Sequence, residues 1–395
     1  MKKSLTFKQL SITLKKAFNE AIAAGNPDKV LSLKLNYLLK NDFNPNFILS
    51  LGKAATSMAE TIRKFDISAP GIIVTNDQNY REVKGFKCFA SGHPIPDKRG
   101  VTASKEVEKK LKTLSKNDHL LLLLSGGGSA LLPAPSNGIS LNQKIYINQK
   151  LLSSGFDIHK INAARRLFSR LKGGRLAALL NSAKITQLIL SDVPGDNLES
   201  ICSGLAAPET FELKEVISIL EKSDLMKENF IKKSLKKIEN GEASKPLRKN
   251  NAVFKNVESH ILASNKICQE AISKYLSEIL DPFPIKPPEL ANEAKLMGLK
   301  LAQWCIKHKP NKPSFFVTGG ETTVTLKNNE IGLGGRSQEL AISFAIEMKK
   351  YKQTFKRSWA ICSAGTDGRD GPTDAAGTII TSKNNINITE AQKIL

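Results

Sequence analysis

Short, fully apolar runs recur along the chain and alternate with stretches of helical periodicity. The clearest run, Leu120–Leu124, leads into three glycines that stand between Ser125 and Ser129. Residues 101–114, VTASKEVEKKLKTL, are typical of the amphipathic segments between such runs. Apolar runs without alternation indicate strands buried on both faces, so the pattern predicts mainly parallel sheets in an α/β fold.

Most predicted strands end in glycine or in small polar residues. The stretches that contain these ends are 47–55, 71–77, 119–130, 186–196, 260–266, 314–326 and 359–371. In open α/β sheets, ligands bind outside the carboxyl ends of the strands. These loops are therefore the segments in which a binding site is expected.

The length of 395 residues exceeds that of one ordinary domain, so two domains are expected. A basic loop before Asn251 and the proline-rich stretch 281–290 favour a boundary between about 250 and 312. The first 25 residues carry apolar positions at helical spacing between charges, which predicts an amphipathic helix rather than a signal peptide.

Composition narrows the class of protein. Hydrophobic residues make up 41% and charged residues 24%, as in a globular protein with a full core. No apolar run approaches the ~20 residues that span a bilayer, which favours a cytoplasmic protein without a membrane partner.

The net charge of +22 raises the alternative of a nucleic-acid-binding protein. The lysines are spread along the whole chain, however, and aromatic residues are only 6%. A generally basic surface that attracts anionic metabolites is the favoured interpretation, and no nucleic-acid partner is expected.

The loop from Ser125 to Ser129 is a candidate anion-binding loop. Gly126, Gly127 and Gly128 let backbone N–H groups approach a phosphate or carboxylate, and the two serines add hydroxyl donors. A following helix N-terminus would add partial positive charge. The alternative is an ordinary tight turn. The loop matches neither the Walker A pattern nor the G-x-G-x-x-G pattern of dinucleotide-binding folds.

Similar loops recur after other predicted strands, at Gly52-Lys53, at Gly319-Gly320-Glu321 and at Gly365-Thr366-Asp367. Phosphoryl transfer needs cations on the transferring oxygens, carboxylates for Mg²⁺ and a positioned hydroxyl. We therefore expect Lys53 to be catalytic and residues 125–129 and 319–321 to bind the nucleotide.

Two aspartates are candidate metal ligands. Asp192 follows the predicted strand in residues 186–196 and is also a candidate catalytic group, and Asp367 follows the last predicted strand. For Asp196 and Asp370, the formation of a local turn is an equally weighted alternative.

Arg336 follows two glycines in GGRSQE and is a further candidate catalytic residue. Its guanidinium would clamp the substrate carboxylate or a phosphate at two points, or form a surface salt bridge. His93 in SGHPIPD is interpreted as structural. Residues 165–177 read as a basic helix broken at Gly173-Gly174, which is either a solvated face or lends Arg165 and Lys172 to anions.

Taken in order, these motifs resemble the glycerate 2-kinases, or class II glycerate kinases, which join an N-terminal kinase-associated domain to a C-terminal MOFRL domain. The matching stretches between residues 46 and 378 are LGKAA, SGHPIPD, LLSGGGSALL, INAARRLFSRLKGGRLA, LILSDVPGD, ILASN, TGGETTVTL, GLGGRSQEL and SAGTDGRDGPTDAAG.

The resemblance implies a kinase that uses ATP and Mg²⁺ to phosphorylate the 2-hydroxyl of D-glycerate, giving 2-phosphoglycerate. Its active site would lie in a cleft between two α/β domains. The implied division is a Rossmann-like kinase domain over 1–255, a connecting helical segment over 256–312 and a MOFRL domain over 313–395. The implied partners are D-glycerate and ATP, with a homodimer left open.

Two alternatives accompany the resemblance. Members of the family have been labelled hydroxypyruvate reductases, a label that the missing nicotinamide fingerprint does not support. The chain also stops at Leu395, before a Thr-Gly-Pro-Thr…Asn-Val-Asn-Asp stretch of the family, so a truncated and inactive member is the remaining hypothesis.

Overall fold

The computed structural model describes residues 5–180, 182–326 and 333–384 of the chain. These residues belong to two compact units. The central unit is Pro27–Ser264, and the terminal unit combines Met1–Asn26 with Asn265–Leu395. No helix among the described residues is long and apolar enough to cross a membrane.

The described residues form α-helices throughout both units. In chain order they are α1 (Phe7–Gly25), α2 (Pro27–Leu39), α3 (Ala55–Arg63), α4 (Lys98–Leu111), α5 (Gly128–Leu131), α6 (Leu141–Ser153), α7 (Ile158–Leu167), α8 (Arg175–Ala178), α9 (Leu213–Lys222), α10 (Asn229–Glu239), α11 (Asn265–Ser277), α12 (Ala294–Lys307) and α13 (Arg336–Lys350).

Strands are concentrated in the central unit. In chain order they are β1 (Phe47–Leu51), β2 (Gly71–Asn76), β3 (Phe86–Ser91), β4 (His119–Leu124), β5 (Lys184–Leu190), β6 (Val257–Ala263), β7 (Asp281–Pro282), β8 (Ser314–Phe315), β9 (Ala360–Ala364) and β10 (Gly377–Thr381).

The central unit is built on one six-stranded sheet in the order β3-β2-β1-β4-β5-β6, and every neighbouring pair is parallel. This is the strand order of dinucleotide-binding folds, in which the chain reverses its winding direction between the first and fourth strands. The predicted Rossmann-like α/β fold is thereby confirmed for this unit.

The leucines of β4 explain why the sheet carries helices on both faces. Leu120, Leu122 and Leu124 enter one core cluster, which also contains residues of α4 and α8. Leu121 and Leu123 enter the opposite cluster, with residues of α2 and α3. All five side chains are almost completely buried. A continuous apolar run is required because both faces of this strand are dry.

The terminal unit has less strand and more helix than the sequence indicates. Helices α12 and α13 pack through a core that includes Leu301, Ala302 and Phe344, and α1 lies on α11. β9 and β10 are antiparallel, while β7 and β8 form a short parallel pair. Mainly parallel pairing therefore describes the central unit only.

The predicted strand in residues 314–326 is shorter than expected. After Ser314–Phe315 the backbone makes only isolated bridges, from Gly320 to Leu290 and from Thr323 to Glu293. The φ angle of +148° at Gly320 interrupts regular pairing. Polar β-branched residues in this stretch favour extended backbone without specifying a strand partner.

The compact units differ from the predicted domain ranges. The N-terminal helix α1 belongs with residues 265–395 because it packs on α11, and β6, inside the predicted connecting segment 256–312, is an edge strand of the central sheet. The ranges 1–255, 256–312 and 313–395 stay a prediction about domains.

Candidate active site

The loops after β1 and β4 meet at the point where the winding of the sheet reverses. The backbone N–H of Lys53 donates to the carbonyl oxygen of Gly126 over 2.9 Å, and the N–H of Ala54 donates to Oγ of Ser125 over 3.0 Å. Helix α3 covers one face of the sheet and α5 the other. Folds of this order bind ligands at this crevice.

Close packing between the two loops depends on Gly52. Its φ angle is +122°, and a Cβ at this position would lie 2.2 Å from Oγ of Ser125. Ser125 is 3% exposed, and its Oγ accepts from the loop after β1. The serine that we expected to bind the nucleotide thus joins the two loops.

The glycines of the second loop are surrounded by the predicted site residues. A Cβ added at Gly127 would lie 2.9 Å from Cδ2 of His93 and 3.4 Å from Cγ of Lys53, and one added at Gly126 would lie 2.1 Å from Oδ2 of Asp192. Lys53 and Asp192 are both exposed to solvent. One cation, one carboxylate and one imidazole therefore line the same three-glycine loop.

His93 is the side chain whose position the sequence interpretation missed. Burial lowers its pKa, the nearby Lys53 ammonium lowers it further, and the Asp192 carboxylate opposes them. The histidine is therefore neutral at physiological pH and able to offer one donor and one acceptor. The motif SGHPIPD was the available signal, because it was among the stretches that carried the resemblance.

Besides these side chains, the glycine loop offers backbone N–H donors. No backbone acceptor among the described residues takes the N–H of Gly126 or Gly127. Gly127 has a φ angle of +85° and precedes α5, which spans only Gly128–Leu131. A single turn carries little macrodipole, so the expected helix contribution is small and the N–H groups remain as anion donors.

Ser129 is connected to a buried lysine. Nζ of Lys172 donates to the carbonyl oxygen of Ser129 over 2.6 Å and to its Oγ over 2.8 Å, and that Oγ lies 2.8 Å from Oγ of Ser203. Lys172 is 2% exposed. Burial, reinforced by the positive charge of Arg165, lowers its pKa to about 7.

Lys172 lies in the irregular segment between α7 and α8. The basic helix predicted in residues 165–177 ends at Leu167, and α8 begins only at Arg175. Gly173 and Gly174 have φ angles of +63° and +79°. The intervening irregular backbone allows Lys172 to turn toward the glycine loop.

A strained turn supports the loop from the other side. Cys202, Ser203 and Gly204 have φ angles of +49°, +59° and +66°, which is an unfavourable conformation for the two side-chain-bearing residues. Sγ of Cys202 would lie 2.4 Å from a Cβ at Gly128. The turn packs on the glycine loop at Gly128 and places the Ser203 hydroxyl next to Ser129.

In the terminal unit, two predicted site residues pair with each other. Nη1 of Arg336 forms an ion pair with Oε1 of Glu321 at 2.5 Å, and both side chains are largely exposed. Arg336 is the first residue of α13. The surface salt bridge weighed in the sequence interpretation is therefore present.

The neighbouring glycines allow close backbone approach. A Cβ at Gly319 would lie 2.1 Å from Oδ1 of Asn265, and one at Gly320 would lie 2.1 Å from the carbonyl oxygen of Leu290. These contacts explain why both positions lack a side chain. They leave nucleotide binding at residues 319–321 as a prediction.

The aspartates of the last loop hold the local backbone. Both carboxylate oxygens of the buried Asp370 accept backbone N–H bonds over 2.8 Å, from Ser337 and Gln338 at the start of α13. Oδ1 of Asp367 accepts from the N–H of Arg369 over 3.3 Å. Asp370 thus caps a helix and Asp367 stabilises its own turn.

No group of three or more His, Cys, Asp or Glu side chains within the described part of the chain is placed to hold a metal ion. A Mg²⁺ bound to substrate phosphates needs only one or two protein carboxylates. The exposed carboxylate of Asp192, against the glycine loop, fits that requirement. The metal role of Asp192 and Asp367 stays a prediction.

Comparison with known proteins matches this arrangement to one family. Residues 13–238 match a domain of unknown function, DUF4147, and residues 314–394 match the MOFRL family. The chain is 34% identical over 390 residues to the D-glycerate 2-kinase of Thermotoga maritima, covering 95% of this chain and 86% of that protein. The chain belongs to the glycerate kinase family with a C-terminal MOFRL domain.

Other members agree in sequence and in structure. A glycerate 2-kinase of Pyrococcus horikoshii is 36% identical over 345 residues, covering 85% of this chain and 75% of that protein. The crystal structure of a Thermotoga maritima glycerate kinase superimposes with a TM-score of 0.79 at 31% identity, covering 95% of this chain and 87% of that one. The resemblance deduced from the sequence motifs is confirmed.

Proposed function

We propose that this chain is a glycerate 2-kinase, which transfers the γ-phosphoryl group of ATP to the 2-hydroxyl of D-glycerate and releases ADP and 2-phosphoglycerate. The observation that carries the proposal is the position of Lys53, His93 and Asp192 around Gly126 and Gly127. The family relatives named for this activity support it.

In this proposal the glycine loop binds the phosphates of ATP. The N–H groups of Gly126 and Gly127 donate to phosphate oxygens, which a side chain at either position would exclude. The Lys53 ammonium then stabilises the negative charge that the transferring oxygens carry in the transition state.

The acceptor hydroxyl needs positioning and a proton acceptor. His93, whose pKa is lowered by burial and by Lys53, is neutral and able to accept a proton, and the Asp192 carboxylate lies at the same loop. Mg²⁺, when bound, would neutralise phosphate charge, and Asp192 is the carboxylate beside the loop that fits it. We propose the metal role for Asp192, with Asp367 as a further candidate, and the proton-acceptor role for His93.

Arg336 is proposed as a catalytic group of the same reaction, and residues 319–321 as nucleotide-binding. To bind an anionic ligand, the Arg336 guanidinium must release Glu321. This exposed ion pair contributes little stability, about 0–1 kcal/mol, so its loss costs little. We further propose that the enzyme acts in the cytoplasm without a nucleic-acid partner and that a homodimer is its candidate assembly.

An ADP-release assay with ATP and a panel of small alcohols and hydroxy acids tests the proposal. ADP production with D-glycerate, and none with glycerol, is the expected result. Oxidation of a reduced nicotinamide with hydroxypyruvate would instead assign a reductase. Salt-sensitive retardation of DNA or RNA, without any ADP release, would assign nucleic-acid binding.

A further inference from the structure

The positive charge beside Ser129 lacks a protein counter-ion. Lys172 is almost completely buried, yet its ammonium donates only to neutral oxygens of Ser129. Among the described residues no carboxylate forms an ion pair with it. Burying an ammonium without an anionic partner is costly, and such positions are characteristic of ligand sites.

Arg165, on the last turn of α7, adds a second unmatched cation. Nε of its guanidinium is buried and has no hydrogen-bond partner within the described structure. Within the described part of the chain, its guanidinium donates from Nη1 to Oδ1 of Asn162, over 3.3 Å. Arg165 adjoins Arg166, and the Arg175 guanidinium donates to the carbonyl oxygens of both Arg166 and Lys172. The two cations therefore lie in the same region, and the charge of Arg165 lowers the pKa of Lys172.

Two acidic side chains of this region form ion pairs with arginines. Glu209 forms a buried ion pair with Arg166, and Glu108 pairs with Arg170 over 2.8 Å. Arg175 donates only to backbone carbonyl oxygens. The buried carboxylate of Glu199 accepts from the neutral donors Thr210 and Asn197, and the Lys144 ammonium donates to the carbonyl oxygen of Phe168. Cations therefore outnumber carboxylates in this region.

We propose that Lys172 and Arg165, with the hydroxyls of Ser129 and Ser203, form a subsite for the carboxylate of the hydroxy-acid substrate. The inference rests on the proposed kinase function. Ser129 is the last residue of the glycine loop, so a carboxylate held at its hydroxyl keeps the acid next to the phosphate-binding N–H groups. A hydroxy acid is then selected over glycerol, because without the carboxylate the buried cations stay unpaired.

The protonation of Lys172 gives this subsite a signature beyond activity. With a pKa of about 7, the free lysine is partly neutral at neutral pH. A carboxylate beside it favours the charged form, so binding takes up a proton. A phosphate group of ATP could bind the same cations. Titrating D-glycerate and ATP separately shows which of the two ligands binds at Lys172.

Isothermal titration calorimetry on the full chain tests the subsite. D-glycerate, lactate, inorganic phosphate and ATP are titrated separately at about pH 7.5 in buffers of different ionisation enthalpy, which reveals proton uptake. The variants are Lys172→Met, which keeps side-chain length, and Ser203→Ala, which removes one hydroxyl. Lys112→Met, at an exposed position on the C-cap of α4, is the matched control.

The subsite predicts that Lys172→Met weakens D-glycerate binding about 10- to 100-fold, abolishes the proton uptake and leaves ATP affinity within about twofold. Ser203→Ala should weaken glycerate binding severalfold, and it replaces Lys172→Met if that variant does not fold. Lys112→Met should bind as the wild type does.

Three results overturn the subsite. They are unchanged glycerate affinity in both variants, a loss confined to ATP or inorganic phosphate, and a wild type that binds none of the small carboxylates. A wild type that binds glycerate through Lys172 but releases no ADP contradicts the proposed kinase function and leaves the subsite standing.

Discussion

The backbone N–H of Lys53 is hydrogen-bonded to the carbonyl oxygen of Gly126 over 2.9 Å, although the residues belong to different strand-end loops. The bond fixes the backbone of the lysine while its side chain stays exposed beside Gly127. The contact between the loops is made by the backbone of Lys53 and does not involve its side chain. A side-chain substitution at Lys53 therefore tests function and leaves this contact in place.

Lys53→Ala should therefore lower kcat for phosphoryl transfer about 100- to 1000-fold, corresponding to ~3–4 kcal/mol of lost transition-state stabilisation. The melting temperature should stay close to that of the wild type, because the side chain is exposed to solvent. Steady-state kinetics and thermal unfolding measure both, with Lys112→Ala as the control. Wild-type kcat in Lys53→Ala would remove this lysine from the site.

Gly127→Ala should weaken ATP binding. The new Cβ would lie 2.9 Å from His93, at a φ angle of +85° that disfavours any side chain. Gly155→Ala is the matched control, since Gly155 has a φ angle of +69° and nothing within 4 Å of a Cβ. Both variants should lose about 1–2 kcal/mol from left-handed backbone, and Gly127→Ala should lose more because its Cβ contacts His93.

Calorimetric titration of ATP separates the two glycine variants. Only Gly127→Ala is expected to show a raised Kd. Equal ATP affinities in the two variants would reduce the glycine loop to a turn.

Arg336→Lys keeps the charge and removes the planar fork. With the substrate carboxylate assigned to Lys172, Arg336 is expected to act on the transferring phosphoryl group, so kcat should fall at least about tenfold, ~1.4 kcal/mol. KM for D-glycerate should change less than about twofold. If KM for D-glycerate rises tenfold while kcat is unchanged, Arg336 binds the substrate carboxylate, which contradicts the Lys172 subsite.

The ion pair between Arg166 and Glu209 is expected to be essential to the fold. Both side chains are almost completely buried, and the Glu209 carboxylate also accepts from the N–H of Phe211. Glu209→Gln should lower the free energy of unfolding by about 3–5 kcal/mol, because it leaves a buried guanidinium without its anion.

The exposed pair of Arg81 and Glu60 supplies the comparison. Glu60→Gln should cost less than about 1 kcal/mol in urea unfolding. Equal losses at Glu60 and Glu209 would show that burial does not determine the contribution of these pairs.

Stability of the ligand-free protein should rise with pH above neutrality. Lys172 has a pKa of about 7 when folded, below its unfolded value near 10.4, so between these pH values the unfolded state binds more protons. The free energy of unfolding, relative to Lys172→Met, should increase by up to ~1.4 kcal/mol per pH unit. Parallel pH profiles for the wild type and Lys172→Met would contradict a lowered pKa for the buried lysine.

Much of the central unit could be predicted because its signals are local. The apolar run at Leu120–Leu124 specifies a strand buried on both faces, and the glycines after it mark the loop. The strand order could not be derived, because parallel pairing leaves no register signal in the sequence. It is this order that brings Lys53 next to Gly126.

The contacts that depend on long-range packing were not predictable. The bond from Lys172 to Ser129 arises from irregular backbone after α7, where the sequence indicated a continuing helix. His93 was interpreted as structural because a single histidine carries no spacing signal. In the terminal unit, the carboxylates of Asp367 and Asp370 accept hydrogen bonds from nearby backbone N–H groups. The glycine- and proline-rich sequence indicated this turn-forming role as one of two alternatives.

The most direct test of the central claim is identification of the product. ³¹P NMR of the purified chain with ATP, Mg²⁺ and D-glycerate should show ADP and 2-phosphoglycerate formed in equal amounts, and Lys53→Ala should form neither at a comparable rate. A phosphoryl group on the 3-hydroxyl would contradict the assigned position of transfer, and intact ATP with unmodified glycerate would contradict the kinase itself.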